Sequence, residues 1–237
     1  MPKDYDVAVL DGPGDTDYAR YMKTDVLLSL QRTPDEWIHP DELLFQTVHQ
    51  SSELWLKLAG AESERAATAI DLDELDEAVA LLARASRCLR SVTEQLDIMR
   101  TLSPADFQTI RTVLGHGSGF ESPGWRQLRE TGKALVRAFA GHRERHAVDM
   151  LAVYTSGRST PVLRCAEALV EWDEQIALWR TNHYKMLTRV IGYGVLGTKG
   201  TQSDTLVRLI DHRVFADLWE LRTQIAAVGP MGTGIDG

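Results

Sequence analysis

The amino-acid sequence predicts an all-α protein, a bundle of long antiparallel helices. Apolar residues recur at three- and four-residue spacing over stretches far longer than a β-strand, at residues 39–69, 75–99 and 162–190. No alternation of short strands with helices, which a parallel sheet would require, surrounds these stretches. Because the first two follow one another closely, we expect them to pack antiparallel around a shared core.

Composition excludes several classes of protein. The chain has 237 residues, 43% of them hydrophobic, which is enough for one domain with a substantial core. Its net charge of −8 argues against a nucleic-acid partner. We expect no membrane partner and a cytoplasmic location, since no apolar run reaches the ~20 residues of a bilayer span and no secretory signal is seen. The isolated Cys88 and Cys165 indicate neither a disulfide nor a thiolate metal site.

The chain begins with a segment that we expect to be a flexible arm, residues 1–17, because it contains Gly12-Pro13-Gly14 and several aspartates. Tyr18 and Tyr21 then lead into a short predicted helix, Val26 to Leu30, which Thr33-Pro34 ends. Tyrosines three residues apart are most often half-buried packing residues.

The first long helix is predicted to start at His39-Pro40-Asp41-Glu42, with proline and acidic residues in its first turn, and to continue to about Ala69. We expect one face of this helix to be buried, and it contains Leu44, Val48, Trp55 and Leu58. The adjoining face contains a histidine, and its residues are Phe45, His49, Ser52 and Leu56. His49 should therefore point to the interior or a cleft. A lone histidine in this setting is usually a satisfied core residue, here with Glu53 one turn on as its partner.

A second long helix is predicted from Leu75 to Met99. Ser103 and Pro104 then cap a shorter helix, Phe107 to Leu114, and a glycine-rich loop over residues 115–124 leads into another helix. Arg126 at the start of that helix has the geometry to bind a carboxylate in bidentate fashion, although such arginines more often form ordinary ion pairs.

Two histidines further along, His142 and His146, have the i, i+4 spacing of some metal ligands. No third ligand is close to them in sequence, and the neighbouring arginines would oppose a cation. The sequence therefore does not favour a metal site at this pair.

The last part of the chain contains a helix from Val162 to Val190, with His183 inside its apolar stripe, and a closing helix near residues 214–223. Between them, Gly192 to Gly197 matches GxGxxG. A dinucleotide fingerprint must follow a strand and open a helix, whereas this one follows a long helix, so it does not predict nucleotide binding. We expect residues 227–237 to form a flexible tail.

Five motifs, in the same order along the chain, resemble those of the haem-dependent tryptophan 2,3-dioxygenase family. Leu44-Phe45, His49-Gln50, Glu53-Leu54-Trp55 and Lys57 are similar to its LF-x-x-x-HQ-x-x-ELW-x-K helix, and Tyr18 and Tyr21 to its Tyr-x-x-Tyr. The other similarities are Ser118 to Ser122 with Arg126, Trp179-Arg180 with His183, and Gly197 to Thr201. The resemblance spans about residues 18–226, which we predict to be a single haem-binding oxygenase domain.

The resemblance implies an all-α fold that encloses a b-type haem, with His183 as the axial ligand of the iron. It further implies that His49 accepts the indole N–H, that Phe45 packs on the indole ring, and that Arg126 and Thr198 hold the carboxylate and ammonium of L-tryptophan. Tyr18 and Tyr21 would close the site of a neighbouring subunit in a homotetramer. The implied reaction adds dioxygen across the indole C2–C3 bond to give N-formylkynurenine, as in tryptophan catabolism.

The sequence departs from the family near the expected pocket. Glu121 replaces glutamine, Pro123-Gly124 and Lys199 are unusual, and the segment between Arg126 and His183 is shorter. One alternative is therefore a haem-dependent monooxygenase of a substituted indole such as 2-methylindole, in secondary metabolism. Another is a helical haem-binding protein without turnover, which would need His183 alone.

Overall fold

The computed structural model of the protein describes residues 7–195 and 205–229, which contain α-helices, one 3-10 helix and no β-strand. The helices in chain order are α1 Asp17–Met22, α2 Thr24–Leu27, α3 Glu42–Asp71, α4 Leu75–Met99, α5 Pro104–Arg111, α6 Pro123–Arg145, α7 Met150–Thr155, α8 Pro161–Val190, α9 Thr205–Ile210 and α10 Ala216–Val228. The 3-10 helix is Gly119–Glu121. No helix of these ranges is long and apolar enough to cross a membrane.

Most helix bounds lie close to the predicted ones because capping residues set them locally. Ser103 accepts a hydrogen bond from the Asp106 N–H at the start of α5, and Thr160 does the same for Leu163 at the start of α8. The predicted helix at residues 26–30 is wrong in position, since α2 ends at Leu27. The helix predicted over Phe107 to Leu114 begins at Pro104 and ends at Arg111.

The four long helices form a bundle made of two antiparallel pairs. Helices α3 and α4 are antiparallel, as contacts of Glu62 with Arg84 and of Ser51 with Gln95 show. Helices α6 and α8 are also antiparallel, because Trp125 lies against Trp179 and Gly132 lies against Trp172.

The two pairs are laid side by side so that α3 is parallel to α6 and α4 is parallel to α8. Contacts of Glu53 with Ser122 and of Asp73 with His142 join α3 to α6, and contacts of Asp76 with Arg164 and of Arg100 with Asn182 join α4 to α8. The starts of α3 and α6 and the ends of α4 and α8 therefore meet at one end of the bundle.

Small side chains on α3 make close packing possible along the bundle axis. Its buried apolar residues are Val48, Leu56, Ala59, Ala66, Ala67, Ala69 and Ile70. The prediction that Trp55 and Leu58 are buried is wrong, since they are 41% and 39% exposed. The buried face passes from Leu56 to Ala59 and Ser63 instead, because only small residues fit where α4 and α6 approach α3.

The segment before α3 is held by hydrogen bonds to its own residues and to α3. Asp17 accepts the N–H groups of Val9 and Leu10 at 2.8 and 2.7 Å, which holds the pKa of this carboxyl below its usual value. Gln46 accepts the Arg32 N–H at 2.9 Å, and Glu42 forms an ion pair with Arg32 at 2.8 Å. These contacts attach the N-terminal segment to the first turns of α3.

Candidate functional site

The end of the bundle where α3 and α6 start and α8 ends brings together His49, Arg126 and His183, three residues far apart in the sequence. Two sets of contacts join the three helices there. Glu53 of α3 binds the start of α6, and a row of aromatic rings runs from α6 to His183 on α8.

The half-buried His183 is desolvated by its surroundings, from which we infer that it lines a recess, and its ring is neutral at physiological pH. Its ring stacks on Trp179, with centroids 4.7 Å apart and planes 11° apart, and Trp179 in turn lies 4.0 Å from the ring of Trp125. Desolvation and, as the smaller cause, the nearby His49 imidazole lower the pKa of His183 to about 4. The ring is strongly desolvated yet retains partial access to solvent, as a group lining a concavity does. No hydrogen bond joins it to another residue in the described ranges.

His49 faces out of α3 with one ring nitrogen bound and the other available. Its Nδ1 lies 2.7 Å from the Phe45 carbonyl oxygen, and a carbonyl only accepts, so Nδ1 carries the proton. The Nε2 lone pair of the neutral ring can then accept a hydrogen bond from a ligand. His49 is exposed and does not pair with Glu53, so the reading of a satisfied core histidine is wrong.

An apolar wall adjoins these two histidines. The Phe45 ring lies 4.2 Å from the His49 ring and 6.0 Å from that of Phe107. Phe45 and Trp179 pack against a hydrophobic cluster, which consists of Val48, Leu96, Met99, Leu102, Phe107, Ile110, Met186 and Val190. This cluster is contributed by α3, α4, α5 and α8, and it gives one side of the site an apolar surface suited to a planar aromatic group.

Glu53 fixes the start of α6, a role that the sequence did not reveal. Its carboxylate accepts hydrogen bonds from the Ser122 hydroxyl and from the Gly124 N–H, the latter at 2.9 Å. A Cβ on Gly124 would lie 2.5 Å from the Leu56 Cβ, so only glycine permits this approach of α6 to α3. The N-cap Ser122 followed by Pro123 was the local signal for a helix start, but its partner on α3 could not be read from it.

Arg126 lies in the first turn of α6 and is exposed. In the described part of the chain its guanidinium forms neither an ion pair nor a hydrogen bond, so the ordinary ion pair weighed from the sequence is not found among these residues. Its position follows directly from the Glu53 contact, which sets the direction of the first turn.

The remaining expected site residues are not brought to the histidines by the described structure. Tyr18 and Tyr21 lie on α1 and are 67% and 74% exposed. Thr198 and Lys199 lie outside the described residues. The described residues stop at Val195, five residues after the end of α8, and resume at Thr205.

The residues of this recess fit a histidine-ligated haem. Such a cofactor needs a neutral imidazole, and His183 has a low pKa, no hydrogen bond from another described residue and an apolar wall beside it. Phe45 and Trp179, which are half-buried and pack on the cluster around Phe107 and Met186, offer apolar surface beside the histidines for a porphyrin.

Comparisons with known proteins agree with this arrangement. A family model described as tryptophan 2,3-dioxygenase matches residues 4–132, more than half of the chain. A protein of that name from Kineococcus radiotolerans is 31% identical, over 92% of this chain and 94% of its own length. A relative of the same name from Bacillus thuringiensis subsp. konkukian is 29% identical, over 88% of this chain and 92% of its own length. Another from Xanthomonas euvesicatoria pv. vesicatoria is 30% identical, over 92% of this chain and 91% of its own length. The first alignment spans 272 positions, so that relative contains segments without a counterpart in this shorter chain.

Proposed function

Because the chain belongs to the tryptophan 2,3-dioxygenase family, we propose that it is a haem-dependent oxygenase that adds dioxygen across the C2–C3 bond of the indole of L-tryptophan to give N-formylkynurenine. The observation that carries the proposal is the pairing of two different imidazoles at one recess. His183 is a neutral, desolvated imidazole, and His49 is an exposed residue whose Nδ1 is bound to the Phe45 carbonyl, which leaves Nε2 as an acceptor.

His183 would hold the haem iron, and haem, when bound, supplies the chemistry that binds and activates dioxygen. The chain's own residues then orient the substrate. His49 Nε2 would accept the indole N–H, and the hydrogen bond from Nδ1 to the Phe45 carbonyl keeps the ring in that tautomer throughout. Phe45 would pack against the indole ring.

Recognition of the amino-acid end is assigned to Arg126 and Thr198. A guanidinium fork matches a carboxylate, and that of Arg126 is exposed at the start of α6. Binding of the substrate ammonium by Thr198 rests on the resemblance of residues 197–201 to the family's loop. A charged hydrogen bond between a guanidinium and a carboxylate contributes about 1.5–3 kcal/mol, and bare indole cannot form it, which favours an amino acid as substrate.

We also propose that the site is completed by a second copy of the chain, as in a homotetramer. Apolar side chains are unusually exposed on the N-terminal segment, among them Val9 at 78%, Leu28 at 75% and Tyr21 at 74%. Leu43, Leu54 and Leu58 form a further exposed apolar stripe on α3 at helical spacing. Association of copies would cover both surfaces and bring Tyr18 and Tyr21 to a neighbour's recess.

The test uses haem-loaded protein, reduced without oxygen and then mixed with dioxygen and either L-tryptophan or 2-methylindole, with products identified by mass. We expect tryptophan to gain two oxygen atoms. A gain of one oxygen by the indole, with tryptophan unchanged, would contradict the proposal and favour a monooxygenase. No product from either substrate would favour a haem-binding protein without turnover.

A further inference from the structure

The opposite end of the bundle contains a cluster of three potential metal ligands, Asp73, His142 and His146. Asp73 lies in the turn between α3 and α4, and the histidines lie at the end of α6. Asp73 follows His49 by 24 residues along α3, which places the cluster about 35 Å from the haem recess at 1.5 Å per helical residue. The cluster is therefore separate from the proposed oxygenase site.

The two histidines converge on the two oxygens of one carboxylate. His142 Nδ1 lies 2.7 Å from Asp73 Oδ1, and His146 Nε2 lies 3.0 Å from Asp73 Oδ2. The imidazole rings are 4.6 Å apart, and one ligand atom from each of the three residues lies within 4.8 Å of the others. His142 is 6% exposed, so this part of the cluster is held rigidly in the protein.

The backbone supports this convergence. Asp73 has a φ of +63°, in the left-handed region that few residues other than glycine, asparagine and aspartate adopt. The spacing of the histidines on α6 and the α3–α4 turn are thus both needed to assemble the three groups. The sequence alone indicates the histidine pair, and the parallel packing of α6 on α3 brings Asp73 to it as the third potential ligand.

We propose that Asp73, His142 and His146 bind a divalent transition-metal ion such as Zn²⁺. Two neutral imidazoles and one carboxylate are a common zinc donor set, and water takes the remaining position of a tetrahedral site. An open recess of about 550 Å³ adjoins the cluster and admits that water. Glu74 lines the same recess and adds negative charge that attracts a cation.

Arg145 is the competitor that the metal displaces from the carboxylate. Its Nη2 lies 2.8 Å from Asp73 Oδ1, but the same nitrogen also lies 3.1 Å from the Asp71 carbonyl oxygen and 3.3 Å from that of Ile70. When the ion takes the Asp73 oxygen, Arg145 keeps these carbonyl acceptors. Binding requires both imidazoles to be neutral, so any proton that they carry is released on metal uptake.

A bound ion would cross-link the α3–α4 turn to the end of α6. Metal that binds the folded chain and not the unfolded chain stabilises the fold by mass action. The site therefore acts as a stabilising clamp at the end of the bundle remote from the oxygenase chemistry.

In the test, full-length, haem-loaded protein is first stripped of divalent metals with EDTA. ZnCl₂ is then titrated into it, and calorimetry measures both the binding and the melting temperature. We expect one Zn²⁺ per chain and a higher melting temperature with zinc present. His146→Gln and Asp73→Asn should each weaken binding by about 100-fold or more and abolish the thermal shift. Asparagine tolerates the left-handed backbone of residue 73, and His146 is exposed, so both variants should fold as judged by circular dichroism.

His212→Gln is the matched control, because it removes an exposed histidine outside the cluster and outside the proposed haem site, and it should bind zinc as the parent does. Absence of zinc binding by the parent would overturn the proposal and leave a carboxylate–histidine–arginine ion cluster only. Equal binding by the parent and by His146→Gln and Asp73→Asn would also overturn it, since the ion would then lie elsewhere.

Discussion

At the scale of single residues, the surroundings of each imidazole decide what it can do. His183 is desolvated beside Trp179, and its lowered pKa keeps the ring neutral for a metal. His49 is exposed, and its Nδ1–H donates a hydrogen bond to the Phe45 carbonyl oxygen, which leaves Nε2 as an acceptor. Two residues of one type are thus suited to different tasks, one to bind a metal and the other to accept a hydrogen bond.

Replacing His183 with alanine tests the assignment of the iron ligand. We expect His183→Ala to abolish stoichiometric haem binding while the helical content stays unchanged, because the ring makes a stacking contact but no hydrogen bond to a described residue. Haem titration followed by the Soret band measures this, with His212→Ala as the control that should bind haem normally. A fully haem-loaded His183→Ala protein would refute the assignment.

Replacing Arg126 tests carboxylate recognition. Because a charged hydrogen bond contributes about 1.5–3 kcal/mol, Arg126→Ala should raise the KM for L-tryptophan about 10- to 100-fold and leave that for a simple indole nearly unchanged. Stability should change little, since the side chain is exposed. Arg126→Lys should rescue only part of the loss, as an ammonium cannot form the bidentate contact. Equal effects on both substrates would argue against this role.

At the scale of helices, the close contact of α6 with α3 positions the whole site. Glu53 binds the first residues of α6, and Gly124 lets the two backbones approach, so the direction of Arg126 relative to His49 is set by this contact. Packing explains the Pro123-Gly124 pair: proline starts the helix, and glycine fits beneath Leu56.

Gly124→Ala tests that contact. The new Cβ would lie 2.5 Å from the Leu56 Cβ, and the overpacking cost of about 1–3 kcal/mol exceeds the gain in helix propensity of up to about 1 kcal/mol. We expect a net loss of about 1–2 kcal/mol in urea denaturation at fixed protein concentration. Gly141→Ala is the matched control: a Cβ there meets only the end of the Arg145 side chain, at 3.3 Å, and stability should hold or rise. Two equally stable variants would show that the α3–α6 contact can relax freely.

At the scale of the whole molecule, the two ends of the bundle carry different chemistry. One end combines the proposed haem site with the N-terminal segment, and the other contains the Asp73 cluster. Many of the exposed apolar side chains lie on the N-terminal segment and on α3, so we expect association of copies to involve the oxygenase end.

Deletion of residues 1–22 tests whether the N-terminal segment completes a neighbour's site. It removes Tyr18, Tyr21 and the hydrogen bonds around Asp17, but none of the four long helices. We expect helical content to be kept and turnover of tryptophan to fall by about tenfold or more, since misplaced groups at a site carry penalties of this order. Tyr21→Ala, which leaves the Asp17 contacts intact, should lower turnover as well. Unchanged turnover in both variants would show that the segment does not contribute to the site.

Much of the architecture could be predicted from the sequence because helix formation is local. The bounds of α4 were predicted as observed, Leu75–Met99, and α8 starts one residue before the predicted Val162. Capping by Ser103 and apolar spacing over three or four residues depend only on near neighbours in the chain. The family also follows from the sequence alone, since its motifs are short runs of residues.

Only the tertiary structure decided which residues meet. The parallel alignment of α3 with α6 pairs Glu53 with Gly124 at one end and Asp73 with His142 at the other, and it turns Trp55 outward where Ala59 and Ser63 fill the core. These partners are about 70 residues apart in the chain. Periodicity tells which face of a helix is apolar, but the partner of a side chain depends on how distant helices pack, and that is settled by the close fit of the whole core.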